Sequence, residues 1–429
     1  MIGTGAKTDL VKNTSYKVVL PFYLYGAVSF LLATVMVFIS AANFTQHYFH
    51  PHTLAITHAM ALGWGTMMIL GASHQLVPVL IEGRLYSNAL AVISFILAAL
   101  GIPLLVYAFY VFNVGWPARW GGILINLAII AYLVNVGISL LKSKRENVQA
   151  IFVFTAVLWL LMTTLVGLVL VYNFAYPLLV NDSVSYLPLH AHMGIVGWFL
   201  LLIIGVGSRL IPLFLISKYA NKKLLWLIYF LINTGLILFI SLFLLLPRTG
   251  IYLLPIALVV TGMLLFGYFC YQSYRKRIRK QVDEQMKVSL LAVLITLVPL
   301  IILVIIIGWS LASNTNTRLI LTYGFTIFFG WITAIVFGMT FKTLPFIIWN
   351  KVYHERAGLG KTPNPKDLFS NRVFNAMAIC YLPGFVLFAA GILIANIFVL
   401  RSGALLLMIA AFLYNGNVFR IVTHQPAKQ

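Results

Sequence analysis

Twelve apolar runs, each long enough to cross a hydrocarbon layer of about 30 Å, dominate this chain of 429 residues. They begin near Tyr16, Leu54, Ala89, Gly121, Ala150, Pro188, Leu224, Ile251, Val288, Leu319, Val373 and Gly403. Hydrophobic residues make up 62% of the chain and charged residues only 9%, which leaves too few polar side chains to build a water-facing surface. The sequence therefore predicts an all-α, polytopic membrane protein with twelve transmembrane helices in a single membrane domain over residues 1–429.

Lysine and arginine residues gather in every second connection between these runs. The basic clusters are Lys7 to Lys17, Arg84, Lys142 to Arg145, Lys218 to Lys223, Arg275 to Lys280, Lys351 to Lys366 and Arg420 to Lys428. By the positive-inside rule these connections face the cytoplasm, so we expect both termini there and the protein in a bacterial-type inner membrane. The net charge of +21 then reflects topology beside anionic lipid rather than binding to nucleic acid.

A pattern of Gly-Trp, Gly and Pro recurs three times with one spacing. Its members are Gly63-Trp64, Gly71 and Pro78, then Gly197-Trp198, Gly205 and Pro212, then Gly330-Trp331, Gly338 and Pro345. The tryptophans lie 134 and 133 residues apart, which is a period of four helices. The sequence thus predicts three pseudo-symmetric four-helix units, over about residues 15–145, 149–280 and 287–424. Close helix packing and helix termination account for the glycines and prolines themselves.

Packing does not account for the residues five positions before each Gly-Trp glycine, which are His58, His192 and Phe325. A neutral imidazole in a bilayer needs partners for its ring nitrogens, and hydrogen bonds between helices are one explanation. Ligation of haem iron or another metal ion is the interpretation that we favour. The repeat places the two histidines at one depth, and imidazole is the commonest protein ligand for such ions.

His190 adds a second histidine two positions before His192. Positions two apart on an α-helix are separated by about 200° around its axis, so these two side chains are predicted to face opposite sides and to serve different sites. His74 lies about 24 Å along the helix from His58 at the ordinary α-helical rise. We therefore expect a structural or proton-relay hydrogen bond at His74 rather than a shared ion.

The connection after the first helix carries His47, His50 and His52, which are close enough in sequence to converge on one copper ion. Exposed loop histidines also commonly have no specific ligand, and both interpretations stay open. Four arginines stand in connections on the same side: Arg119, Arg248, Arg318 and Arg401. A guanidinium fork suits a haem propionate and equally suits a lipid headgroup.

The string His190-x-His192-x-Gly194-x-x-Gly197-Trp198, followed by Gly205 and Pro212, resembles the ligand-bearing tenth helix of subunit I in cbb-type haem–copper oxidases. NnrS-like membrane proteins, a haem- and copper-containing group connected with nitric oxide, look similar around the same element. The resemblance implies a pseudo-threefold, twelve-helix fold with metal sites near the outer face. It also implies a low-spin haem ligand at His192, a high-spin haem ligand at His190 and a first-unit or copper-side ligand at His58.

The chain also departs from that family. The oxidases carry the histidine pair in the third unit, whereas here it lies in the second, so the roles transfer only after a cyclic shift. The seventh predicted helix, residues 224–245, contains no histidine to complete a copper site. All eight acidic residues fall in connections or at helix ends, which leaves no carboxylate in the middle of the membrane for a proton-pumping path.

The resulting expectation is a haem-binding membrane protein of the haem–copper oxidase superfamily, in a non-pumping or NnrS-like branch. It would hold one b-type haem, or two, through His58 and either His192 or His190, with copper as a further candidate. Its role would be electron transfer, oxygen or nitric oxide reduction, or response to nitric oxide, with a quinol or redox protein as partner. Oxidoreductase activity is left open. The alternatives are a cofactor-free multi-pass transporter and a copper-handling protein that uses His47, His50 and His52.

Overall fold

The computed structural model describes residues 14–143, 147–246, 249–278, 280–313, 316–354 and 362–426. Within those residues, twelve helices are long and apolar enough to cross a membrane, which confirms the predicted polytopic all-α fold. Their bounds are α1 Tyr16–Ile39, α2 Pro51–Leu80, α3 Asn88–Tyr110, α4 Trp116–Leu141, α5 Val148–Asn173, α6 Ser183–Leu215, α7 Lys222–Leu245, α8 Gly250–Arg275, α9 Glu284–Ala312, α10 Thr317–Tyr353, α11 Asn371–Ile394 and α12 Ile397–Val422. Because the number of spans is even, α1 begins and α12 ends on one side of the bundle, called here the termini side.

Three helices form the centre of the bundle. In α2, α6 and α10 the protein buries 72% of the most apolar stretch, against 22% to 44% in the other nine helices. These are the helices that carry the Gly-Trp pattern, and a helix apolar all round must be surrounded by protein or lipid. The nine outer helices present their remaining apolar surface to the bilayer.

Each central helix changes from α-helical to π-helical winding at the same point of the repeat. The π-helical segments are Ala59–Thr66, Met193–Leu200 and Thr326–Ile332. They begin directly after His58, after His192 and after Phe325. Wide π-helical turns inside α-helices are frequently found at functional sites, so the three equivalent positions are marked by backbone as well as by sequence.

The second glycine of each pattern, seven residues after the tryptophan, lets an outer helix approach the central helix closely. A Cβ added to Gly71 would lie 2.7 Å from Phe22 Cβ on α1, and one added to Gly205 would lie 2.5 Å from Phe152 Cβ on α5. One added to Gly338 would lie 2.8 Å from the backbone nitrogen of Ser289 on α9. The first helix of each predicted unit thus packs on that unit's central helix. The division into three units remains an interpretation, which these recurring contacts favour.

Tryptophan–threonine hydrogen bonds join the central helices to each other. Trp198 Nε1 on α6 donates to Thr66 Oγ1 on α2 over 3.0 Å, and Trp64 Nε1 on α2 donates to Thr333 Oγ1 on α10 over 3.1 Å. By the repeat, the third bond would run from Trp331 on α10 to Leu200 on α6, and leucine has no oxygen in its side chain. The α2–α6 and α2–α10 interfaces therefore each contain a tryptophan–threonine hydrogen bond, whereas the α6–α10 interface contains none of this kind.

The outer helices meet at three seams, where one predicted unit borders the next. At two of them the helices pack extensively, α4 against α5 and α1 against α12. At the third seam α8 makes few contacts with α9, which is divided at Thr296 into Glu284–Ile295 and Leu297–Ala312. The loosest outer seam thus lies beside the central interface that lacks a tryptophan–threonine bond.

Candidate functional site

A cavity of about 670 Å³ lies between the central helices and the outer helices on the side opposite the termini. His58, His190 and His192 all line it. Among the residues that the structure describes, none of its lining side chains is Asp, Glu, Lys or Arg. The volume is that of an ordinary cofactor or ligand pocket, and the three imidazoles are its most reactive groups.

His58 is oriented by its own helix. Its Nδ1 lies 2.8 Å from the carbonyl oxygen of Leu54, one turn earlier in α2. A carbonyl only accepts hydrogen bonds, so Nδ1 carries the proton of the neutral ring and Nε2 carries the lone pair. The sequence thus fixes this imidazole with its electron-pair donor pointing away from the helix and towards the cavity.

His190 reaches the same state through a neighbouring helix. Its Nδ1 lies 3.0 Å from the carbonyl oxygen of Thr163 on α5, so Nε2 again holds the lone pair. Gly167, one turn further along α5, makes room for the ring. A Cβ at Gly167 would lie only 2.9 Å from His190 Cε1, so this glycine is required by a close approach rather than by backbone conformation.

His58 and His190 face each other across the cavity. Their ring centroids are 6.3 Å apart and the ring planes differ by 19°. Among the described residues, the hydrogen bond of each of these two rings is made by Nδ1 and not by Nε2. Of the two partners that the sequence leaves open for His58, the structure therefore places His190 beside it.

His192 faces the opposite side of α6, as the helical geometry predicts. Its Nδ1 donates to the carbonyl oxygen of Pro188 over 2.7 Å, and its Nε2 accepts a hydrogen bond from the hydroxyl of Tyr323 on α10 over 3.3 Å. The ring also packs against Phe239 of α7, with centroids 5.3 Å apart. His190 and His192 thus belong to different parts of the cavity, and the lone pair of His192 already has a partner.

The repeat relates these contacts to each other. Tyr323 stands two positions before Phe325, which is the place that His190 occupies relative to His192. His58 with His190 and His192 with Tyr323 are therefore the same pairing at two successive seams. Sequence reasoning missed Tyr323, although the repeat register was enough to find it.

The third seam has the corresponding pair Phe325 and Ile56, with 3% and 2% of their surfaces exposed. Phe325 packs against Phe329, Phe385 and Phe388, with ring centroids 5.0, 5.7 and 4.7 Å away. Both side chains are hydrocarbon, and they border the cavity without offering it a polar group. The first seam thus carries two imidazoles, His58 and His190. The second carries a hydrogen-bonded imidazole and phenol, His192 and Tyr323, and the third carries the apolar pair Phe325 and Ile56.

The structure does not bring the loop histidines together as a group of three. His52 Nδ1 is 2.7 Å from Asn43 Nδ2, and its ring stacks on Tyr110 at 4.1 Å. His50 accepts from the backbone of His52, while His47 accepts from the backbone of Phe49. Partial burial, and then the neighbouring His52, lower the pKa of His50. Over the described ranges no three His, Cys, Asp or Glu side chains are placed to hold a metal ion.

The candidate arginines differ in their surroundings. Arg119 lies over the rings of Tyr172 and Tyr176, at 5.3 and 5.1 Å, and its buried Nε has no hydrogen-bond partner within the described part of the chain. Gly122, one turn further along α4, lines the cavity. Arg119 thus lies near the His58–His190 side of the cavity.

Arg318 and Arg401 are exposed on the side opposite the termini, and Arg248 lies outside the described residues. Arg318 Nη1 donates to the carbonyl oxygen of Leu393 over 3.4 Å, and with His47 it lines a separate surface crevice. His74 is fully buried against Phe22 and Tyr132, away from the cavity, and neither ring nitrogen has a hydrogen-bond partner among the described residues, so the hydrogen bond expected there is not found. None of these three described side chains belongs to the cavity lining.

No protein-family model matches this chain, and no curated protein matches it. The side chains of the cavity are therefore the basis for assigning a function.

Proposed function

We propose that this chain is a haem-binding integral membrane protein in which a b-type haem iron lies between His58 and His190. The observation that carries the proposal is the pair of facing imidazoles. Each has its Nδ1 proton bonded to a backbone carbonyl and its Nε2 lone pair free at the cavity. Proteins usually orient a metal-bound histidine, and raise its basicity, through a hydrogen bond from the ring nitrogen that does not bind the metal.

The spacing of the two rings suits one ion between them. Metal–nitrogen bonds to imidazole are about 2 Å long, so two such bonds and two ring radii span about 6 Å between centroids. The centroids lie 6.3 Å apart. Two ligands are too few for a bare structural metal site but are the full protein contribution to a bis-histidine haem, and the apolar lining suits the porphyrin.

Two protein ligands at one iron favour electron transfer or sensing over reduction of a gas at that iron. A bound haem would supply reversible one-electron chemistry. The chain's own groups fix the imidazoles through Leu54, Thr163 and Gly167 and keep charged side chains away. We propose one haem rather than two, because the hydroxyl of Tyr323 already occupies the lone pair of His192.

Arg119 is the proposed partner for a haem propionate. Its guanidinium is held by Tyr172 and Tyr176 near the cavity, and its Nε lacks a partner among the described residues. Arg318 and Arg401 are exposed, which suits lipid headgroups better. Membership of the haem–copper oxidase superfamily, location in an inner membrane and cytoplasmic termini are parts of the same proposal, carried by the residues of α6 and by the asymmetry of basic connections.

The test is the absorption spectrum of purified protein together with its metal content. We expect a Soret band and a low-spin spectrum, because His58 and His190 would both hold the haem iron if it lies between them. His58→Ala and His190→Ala should each abolish the low-spin spectrum, while His192→Ala should keep it. His424→Ala, on the termini side, is the matched control for loss of a histidine.

Colourless wild-type protein with no bound iron would refute the haem assignment and favour the cofactor-free transporter. Loss of the low-spin spectrum in His192→Ala but not in His190→Ala would instead support the pairing of His58 with His192. Copper that is lost from a His47, His50 and His52 triple-alanine variant with unchanged haem would support the copper-handling alternative.

A further inference from the structure

The cavity has a second chemical centre besides the facing imidazoles. His192 and Tyr323 both line it, joined by a hydrogen bond of 3.3 Å between Nε2 and the hydroxyl oxygen. Well-formed hydrogen bonds of this kind are about 2.9 Å long, so the contact is a loose one. A ligand oxygen placed beside the pair can accept from the Tyr323 hydroxyl or donate to His192 Nε2.

The ligand at this centre must be electrically neutral. None of the described side chains that line the cavity is Asp, Glu, Lys or Arg, so nothing there would pair with a phosphate, a carboxylate or an ammonium group. A charge placed in such surroundings without a partner is strongly disfavoured. Phospholipid headgroups and fatty acids are therefore poor occupants, whereas a neutral carbonyl or hydroxyl group is suitable.

The lipid phase is the natural source of the ligand, because the cavity adjoins the loosest seam. Leu303 and Ile307 on α9 line the cavity, while Ile301 and Val304 on the same helix are 60% and 59% exposed on its lipid-facing side. The neighbouring α8 makes few contacts with α9. An apolar tail can thus extend between the two helices into the bilayer while the polar head stays inside.

The shape of the cavity wall favours a planar head. Phe239 lies beside His192, and Tyr252 and Phe328 also line the cavity. Aromatic side chains stack well on flat rings. His190 and His192 stand two residues apart on opposite faces of α6, so a head group at Tyr323 lies one helix away from the His58–His190 pair.

We propose that an isoprenoid quinone or quinol binds at the α8–α9 seam, with its tail in the lipid and its ring oxygen accepting a hydrogen bond from the Tyr323 hydroxyl. In the quinol form, the ring hydroxyl also donates to the Nε2 lone pair of His192. The quinone site extends the proposed haem function. It rests on that function only where a redox-active head group is chosen over the head group of another neutral lipid. The site differs from the haem site in its residues, its helices and the route by which the ligand arrives.

The test is photolabelling of the full chain in phosphatidylcholine nanodiscs with an azido-quinone, in competition with decylubiquinone. We expect label on peptides of α8, α9 and α10. Tyr323→Phe removes one hydrogen bond, worth about 1 kcal/mol, and should weaken competition about fivefold. Leu303→Trp fills the cavity and should abolish specific labelling.

Two variants control for general effects. Tyr414→Phe removes a buried phenol hydroxyl outside the cavity, where it bonds Thr340. Ile301→Trp adds the same bulk to α9 on its lipid-facing side. Both should label as the wild type does.

Label spread evenly over lipid-facing helices, or unchanged binding in both Tyr323→Phe and Leu303→Trp, would overturn the proposal. Displacement of the label by diacylglycerol as readily as by decylubiquinone would do the same, since it would show a general neutral-lipid site. The labelling is repeated in His58→Ala, which lacks the proposed haem ligand. Specific labelling there without a Soret band would separate the quinone site from any failure of the haem assignment.

Discussion

Single backbone carbonyls decide what each cavity histidine can do. Leu54, Thr163 and Pro188 each accept from Nδ1 of one ring, so all three imidazoles present Nε2 to the cavity. The difference between them lies in what faces Nε2. For His58 and His190 the nearest polar ring is the other imidazole, with centroids 6.3 Å apart, whereas for His192 it is the hydroxyl of Tyr323. The residue type alone therefore does not distinguish the sites.

Gly167→Ala tests the proposed haem site with a single methyl group. The new Cβ would lie 2.9 Å from His190 Cε1, so the ring must turn away from His58. Because alanine favours a helix interior by about 1 kcal/mol over glycine, we expect no loss of folding. Haem affinity should fall about tenfold, as for other residues that support a metal ligand, measured by haemin titration of the apoprotein.

Gly267→Ala is the matched control, because nothing lies within 4 Å of a Cβ at that position of α8. Equal haem affinity in Gly167→Ala and wild-type protein would contradict the placement of His190 as a ligand.

At the scale of the helices, the apolar runs were sufficient to predict all twelve spans, because hydrocarbon thickness leaves a chain few other choices. The π-helical winding of the central helices was not predictable. It depends on how Ala59–Thr66 and its two equivalents pack against outer helices, and π-helical and α-helical turns use the same residues. The Gly-Trp pattern that follows each histidine position was its only signal in the sequence.

Thr66→Val tests the bonds between central helices. Valine keeps the shape of threonine but leaves the buried indole N–H of Trp198 without its acceptor. We expect a loss of about 1–3 kcal/mol in unfolding free energy, measured by denaturant titration in detergent. Thr261→Val on α8 is the control, because Thr261 is exposed and bonds only its own helix; a similar loss in both variants would argue against a role for the inter-helix bond.

Over the whole molecule, the repeat places a different pair of side chains at the same position of each of the three seams. The sequence revealed the repeat, the opposite directions of His190 and His192, and the loss of histidine at Phe325. It did not reveal that position 58 pairs with position 190, because that pairing depends on which central helices are neighbours and on the rotation of each. The loop histidines show the converse, since closeness in sequence did not bring His47, His50 and His52 together.

Tyr323→His tests the equivalence of the seams. It would place a second imidazole pair in the wall of the same cavity, with His192 as the partner. We expect the haem content, measured as the pyridine haemochrome, to rise from about one to about two per chain, because imidazole is the favoured ligand.

The control for that variant is Ile56→His with Phe325→His, which builds the same pair at the seam filled by Phe329, Phe385 and Phe388. The aromatic rings of Phe329, Phe385 and Phe388 crowd this position, so we expect the haem content of this variant to stay at the wild-type level. A wild-type level in Tyr323→His as well would mean that the seams are not equivalent.

The missing partner of Trp331 has a mechanical consequence. With Leu200 at the third position, two of the three central interfaces carry a buried tryptophan–threonine bond, and the α6–α10 interface has only the longer hydrogen bond of 3.3 Å between Tyr323 and His192. A change in bilayer thickness or lateral pressure acts on all the outer helices, but the central helices separate most easily at the α6–α10 interface, where the bonding between them is weakest. We therefore expect the protein to widen along one direction in the membrane plane, between α8 and α9, while the joint that holds His58 opposite His190 keeps its dimensions.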